Sequence, residues 1–140
     1  MIDIESFVFS RVSEKLRNTF DDIFVSGEYI DAPAKFPAVT LIEVNNSVLP
    51  SMRTTTVENG TTVLYEVNVF SNKVGYKKSE AKDILEIIDA EMSAIGFMRT
   101  MAQPTPNLAD STIYRITARY SGVIVPEYGV DGITYRIYST

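Results

Sequence analysis

The sequence predicts an α+β fold: a single domain with a mixed, mostly antiparallel β-sheet and two main helices packed on one face. Three observations carry this. Ser79–Gly96 repeats apolar residues at three- and four-residue spacing, Thr61–Phe70 and Thr112–Tyr120 alternate with period two, and strand-like runs flank the helical stretch on both sides. A helix with one apolar stripe needs a surface to lie on, and the flanking strands supply it.

The elements follow in chain order. Asp3–Phe20 reads as a helix with Ile4, Phe7, Val8, Val12, Leu16 and Phe20 on its apolar face and Asp3 as N-cap. Ile23–Val25 reads as a short strand, and Tyr29–Pro37, with Pro33 and Pro37, as an extended crossover. Ala38–Val44 is a β-branched strand, followed by a loop over Asn45–Ser51. Arg53–Val57 reads as a strand turning through Asn59-Gly60, because Asn-Gly tolerates the positive φ of a tight hairpin. In the return strand Thr61–Phe70, Val63, Tyr65, Val67 and Val69 share one face, and Leu64, Glu66, Asn68 and Phe70 share a more polar one expected to meet solvent or a partner.

The second helix, Ser79–Gly96, buries Ala81, Ile84, Leu85, Ile88, Met92 and Ile95, with Ser79 as its N-cap and Gly96 turning left-handed past its end. Phe97–Gln103 is a strand ended by Pro104. Thr112–Tyr120 is the strongest strand, with Tyr114, Ile116, Ala118 and Tyr120 facing one way and Arg115, Thr117 and Arg119 the other. Gly122 marks a bulge or bend, with Val123-Ile124-Val125 continuing the strand, Pro126–Gly132 a turn, and Ile133–Tyr138 a last strand.

Composition narrows the function. The 140 residues carry a formal net charge of −5, which argues against a general binder of anionic nucleic acid or membrane surface. No apolar run reaches the roughly 18 residues of a membrane helix, and the N-terminus lacks the basic and apolar regions of a signal peptide, so the expected compartment is the cytoplasm. Cysteine and histidine are both absent, which removes thiolate nucleophiles, Cys/His zinc sites and imidazole bases. The expectation is therefore a binding or structural protein with no catalytic, cofactor or metal residues.

Each apparent motif has a plainer reading. Ser79-Glu80-Ala81-Lys82 has Ser-x-x-Lys spacing, which leaves a small hydrolase using Ser79 and Lys82 as an alternative, but no Ser-Asp-Asn or Lys-Thr-Gly accompanies it. Glu80, Asp83 and Glu86 share a helix flank and read as a wet face. Lys73, Lys77 and Lys78 precede a helix N-terminus without a Gly-rich cradle. Arg115 and Arg119 alternate with tyrosines that point the other way, so they form no stacking platform. Val48, Leu49 and Met52, with Arg53 and Asn59 beside them, form one candidate contact surface, since grouped apolar residues in a loop mark contacts. Tyr128, Tyr135, Arg136 and Tyr138 form another, of the residue types enriched at protein–protein hot spots.

Phe-Pro-Ala-Val at Phe36–Val39, Glu43-Val44-Asn45-Asn46, the Lys-rich loop into SEAKDILEIIDAEM and the closing TIYRITARYSGVI…YRIY together resemble the tail terminator, or tail-completion, proteins of tailed bacteriophages and prophages. The resemblance spans nearly the whole chain and rests on fold-type motifs. It implies a ring, commonly a hexamer, that sits on the last ring of tail-tube protein, stops tube growth and offers a surface to the head–tail connector, with DNA free to pass through. It implies assembly in the host cytoplasm and residence in the virion tail. A head–tail adaptor or another tail subunit is the neighbouring alternative.

Overall fold

The computed structural model describes residues 1–30, 32–50, 60–106, 110–130 and 132–139. In chain order it contains α1 (Glu5–Thr19), β1 (Phe24–Ser26), β2 (Ala38–Val48), β3 (Thr61–Ser71), α2 (Lys77–Ala94), β4 (Met98–Pro104), β5 (Tyr114–Gly129) and β6 (Gly132–Ser139). The architecture is α+β, with one mixed six-stranded sheet in the order β1-β2-β3-β5-β4 and β6 paired with β5 off this path. β1 and β2 are parallel, and the other pairings among the described residues are antiparallel. β3 and β4 both run antiparallel to β5, so they point the same way with β5 inserted between them.

Both helices cover one face. α2 packs over β3, β4 and β5 and contacts α1. The core joins Val8, Val12 and Leu16 of α1 and Ile84, Ile88 and Met92 of α2 to the face formed by Val39, Leu41, Val63, Tyr65, Val67, Val69, Ile116, Ala118 and Tyr120. This is the period-two face and the 3.6-period stripe read from the sequence. Burying each large side chain contributes about 1.5–3 kcal/mol. Arg11 of α1 reaches Glu91 of α2 at 2.8 Å across the outer seam.

Several boundaries differ from the sequence reading. α2 starts at Lys77 with Tyr76 at its N-cap position; Ser79 is in the first turn and donates its hydroxyl to the Tyr76 carbonyl at 3.3 Å instead of capping an N–H. Likewise Ile4, not Asp3, holds the cap position of α1, although Asp3 Oδ1 accepts the Glu5 N–H at 3.0 Å. The segment Asn45–Val48 is strand, not loop: β2 continues past a bulge between Glu43 and Asn45, whose extra residue, Val44, is exposed. β3 is paired with β2 on one edge and with β5 on the other over its length, so both of its edges are covered by these two strands. Residues 51–59, including the expected Arg53–Val57 strand, lie outside the described residues. Phe7 is 52% exposed and does not join the core stripe of α1.

The largest difference is in β5. Gly122 was expected at a bulge and Pro126 in a turn, yet β5 runs unbroken for sixteen residues, in regular register with β3 and β6 through Gly122. The glycine serves packing. A Cβ at Gly122 would lie 2.9 Å from the ring of Phe97 and 3.2 Å from Ile137 Cγ2. Phe97 is buried there and meets Tyr65 edge-on at 5.4 Å between ring centroids. Gly96, at φ +107°, turns the chain out of α2 as the sequence suggests, and a Cβ there would sit 2.4 Å from the Ile137 carbonyl oxygen.

Gly122→Ala is expected to destabilise the protein by about 1–3 kcal/mol through overpacking against Phe97. Gly27→Ala, where a Cβ meets only ordinary contacts 3.6 Å or more away, should be neutral to about 1 kcal/mol stabilising. Urea denaturation of both variants checks the contrast, and Phe97→Leu combined with Gly122→Ala should recover part of the loss.

Candidate interaction surface

β5 extends further than the sheet that holds it. β3 covers one edge of β5 only from Tyr114 to Ile124, whereas β6 follows the other edge from Gly122 to Gly129. Residues 125–129 and 132–136 therefore form a two-stranded arm that has no further strand beside it among the described residues. The register places Tyr128 opposite Ile133 and Pro126 opposite Tyr135, on the side that carries Tyr120 and Ile124 in the core. The apolar face of the sheet thus continues beyond the helices into solvent. Tyr128 is 67% exposed, Ile133 55% and Tyr135 45%. The opposite side of the arm is polar: Arg136 Nε lies 2.8 Å from Glu127 Oε1, and Arg136 Nη1 donates to the Tyr138 hydroxyl at 3.4 Å. That hydrogen bond and the Glu127 charge both raise the Arg136 pKa and keep it cationic.

The other sequence-predicted surface emerges at the same end of the molecule. Val48 pairs with Thr61, which pairs in turn with Ile124 at the root of the arm. Leu49 N–H donates to the Gly60 carbonyl at 3.0 Å and closes the base of the β2–β3 connection. Val48 is exposed and Leu49 partly so. Met52, Arg53 and Asn59 lie outside the described residues. The sequence reading missed Phe7. It stands on the first turn of α1 and, with Asp3, Ile4, Ser6, Thr134, Tyr135 and Ile137, lines a groove of about 480 Å³ between that turn and β6. A position at the margin of a helical stripe was the available signal, and core membership was the default assignment.

The face away from the helices is more occupied than its polarity suggests. Asn68, Thr40 and Thr117 are buried. Asn68 Oδ1 accepts from Thr117 Oγ1 at 2.7 Å and from Arg115 Nε at 2.9 Å, and Asn68 Nδ2 donates to Glu66 Oε1 at 3.3 Å. Arg119 donates twice to Glu66 Oε2, at 3.2 and 3.0 Å. Arg115 lies over the Phe70 ring at 5.2 Å and reaches the Tyr29 hydroxyl of the β1–β2 crossover at 3.4 Å. Both arginines are committed to partners on this face. Tyr120 is on the other face, with its hydroxyl donating to Asp89 at 3.2 Å; burial and the Asp89 charge raise its pKa. The arginines and tyrosines therefore share no stacking platform.

Several of the chemical candidates at the start of the second helix are likewise engaged. Lys73 approaches Glu80 at 4.0 Å and the Tyr76 ring at 5.7 Å, and Lys77 Nζ donates to the Thr112 carbonyl at 3.3 Å. Glu80 also accepts from Ser71 Oγ at 2.7 Å. A different acidic group is assembled by the fold. Asp3, Glu5 and Glu43 bring carboxylate oxygens within 4.8 Å of one another. Burial, followed by the charges of Glu5 and Asp3, raises the Glu43 pKa. Glu43 is far along the sequence from Asp3 and Glu5, so no local spacing could reveal this cluster.

No family model matches the chain, and no curated protein matches it significantly. No helix among the described residues is long and apolar enough to cross a membrane.

The two kinds of polar contact on the far face should separate in mutagenesis. Asn68→Ala, which strips buried partners from Thr117 and Arg115, is expected to cost about 1–3 kcal/mol. Arg119→Ala, which removes a half-exposed ion pair, should cost under about 1 kcal/mol. Thermal or urea unfolding of both variants measures the difference.

Proposed function

We propose that this protein is a structural subunit of a tailed-phage particle, a tail terminator that forms a ring, commonly a hexamer, on the last ring of tail-tube protein. In that position it ends tube growth and presents a surface to the head–tail connector proteins, with DNA passing through the ring. It assembles in the host cytoplasm and stays in the virion tail. It needs no enzymatic chemistry for this role.

The observation that carries the reading is the β5–β6 arm. A closed ring requires two different, complementary patches on each subunit, because its contacts are head-to-tail. The arm supplies one patch with the required chemistry: Tyr128, Ile133 and Tyr135 exposed along one side, a residue set suited to the dry centre of an interface. Among the described residues β6 also leaves its outer edge unpaired, so its backbone can add to a neighbouring sheet. The groove beside Phe7 and the Val48–Leu49 corner offer further apolar surface for the same assembly. The resemblance of the sequence motifs, over nearly the whole chain, to tail terminators supports the same reading.

In purified protein mixed with tail-tube protein, negative-stain microscopy should show rings capping tubes of fixed length. Long uncapped tubes with the ring present would argue for a head–tail adaptor instead. Tyr128→Ala, Ile133→Ser and Tyr135→Ala combined should lower ring assembly at least about tenfold, since each tenfold is about 1.4 kcal/mol and hot-spot side chains exceed that. The melting temperature of the Tyr128→Ala, Ile133→Ser double variant should change little, because both side chains are more than half exposed, whereas Tyr135 also lines the groove against α1. Unchanged assembly in the triple variant would remove the arm from the interface.

A further inference from the structure

We propose that Asp3, Glu5 and Glu43, together with the Tyr65 hydroxyl, hold a hard divalent cation of the calcium class. The geometry joins the start of the chain to the middle of a strand. Asp3 lies just before α1, Glu5 opens it, and Glu43 stands on β2 immediately before the bulge. Glu43 is on the inward face of β2, in line with the buried Val39 and Leu41. The carboxylate oxygens of the three acids lie within 4.8 Å of one another. Oxygens that share one calcium ion at about 2.4 Å each can be at most about 4.8 Å apart. The spacing therefore lets one oxygen from each acid share a common ion, and it is unfavourable for three carboxylates without one.

The second observation is independent of the acids. Tyr65 is 1% exposed, and its hydroxyl is buried with no hydrogen-bond partner. It stands directly opposite Glu43 on the same face of the sheet, and the charges of Glu43, Glu5 and Asp3 all bear on it. Oε1 of Glu43 is also buried without a partner. Buried polar atoms are almost always satisfied, so two adjoining orphans mark a place for a ligand that both can contact. A phenolic hydroxyl has lone pairs to offer a hard cation, and the exposed sides of Asp3 and Glu5 leave room for the waters that complete a calcium shell. No arginine or lysine among the described residues forms an ion pair with any of the three acids.

The supporting shell is also present. Asn46, brought inward by the bulge, donates Nδ2 to the Ile2 carbonyl at 2.8 Å and accepts from Thr61 Oγ1 at 2.8 Å. It thereby fixes the backbone next to Asp3. Such outer partners orient ligands and hold a site in shape. Ligands drawn from the chain before a helix, the start of that helix and a strand form an irregular oxygen set, which calcium accepts more readily than the more demanding magnesium. The inference does not depend on the tail-terminator reading.

The test is calorimetric titration of the full chain, stripped of metal, with calcium chloride, alongside thermal melting in calcium, magnesium and sodium chloride at matched ionic strength. The expected result is a Kd on the order of 10⁻⁵–10⁻³ M for calcium, a rise in melting temperature with calcium, and a change in the near-ultraviolet tyrosine signal. Asp3→Asn, an exposed and conservative change, should weaken binding at least tenfold, and without metal it should melt no lower than the parent protein, because it removes one of three mutually repelling charges. Glu43→Gln should abolish the calcium response, and Tyr65→Phe should weaken it. No heat and no melting shift at about 10 mM calcium, above the weakest class of sites, would overturn the proposal. So would a response that sodium reproduces at equal ionic strength, or one that Asp3→Asn and Glu43→Gln leave intact.

Discussion

The fold depends on a close approach between the end of α2 and the middle of β5. Phe97 lies on the bare backbone of Gly122, and Gly96 passes beneath the carbonyl of Ile137. These contacts set the distance between helix and sheet, because side chains of any size at 96 or 122 would push them apart. The same contacts seat β6, since Ile137 is the residue that closes over both glycines. The helical layer, the central strand and the root of the arm are thus adjusted to one another at a single place. Tyr65, edge-on to Phe97, extends that constraint to β3.

Two faces of one sheet solve the polar problem differently. On the helix side, apolar residues fill the space; the Tyr120 hydroxyl meets Asp89, whereas the buried Tyr65 hydroxyl, opposite Glu43, has no hydrogen-bond partner. On the other side, buried Asn68 works as a hub whose donors and acceptors are matched by Arg115, Thr117 and Glu66. A fully connected polar cluster of this kind fixes strand register, because a slip of one residue would strand every member. Strand β3 therefore has its position specified twice, by packing on one face and by hydrogen bonds on the other.

Periodicity made most of this legible. The stripe from Ala81 to Met92 and the alternation from Val63 to Val69 identify their elements and buried faces directly, because repeated burial leaves a repeated pattern. Punctuation was less reliable. Gly122 and Pro126 look like breaks, yet both lie inside β5: one is there for a ring to pack on it, and the other is beside β6, on the stretch that β3 does not reach and where a missing N–H loses nothing to a third strand. Asn45 and Asn46 look like a loop because a bulge reverses the inward and outward order of the strand. Ser79 looks like a cap, but the helix begins two residues earlier. The tyrosines of the arm could be named from composition, whereas their common face depends on the β5–β6 register. The acidic cluster was not legible at all, since Asp3 and Glu43 meet only through the tertiary fold.

β5 is one continuous strand from the buried centre of the sheet to the tip of the arm. The arm therefore has no hinge of its own. A pull applied at Tyr128 along the strand is transmitted through the backbone to residues 114–124, where rows of hydrogen bonds to β3 and β4 lie across the direction of the load. Those bonds share the load in shear rather than opening one after another. Whatever holds the tip is mechanically attached to the core of the subunit, and tension between neighbours would be borne by whole domains instead of by a loose tether.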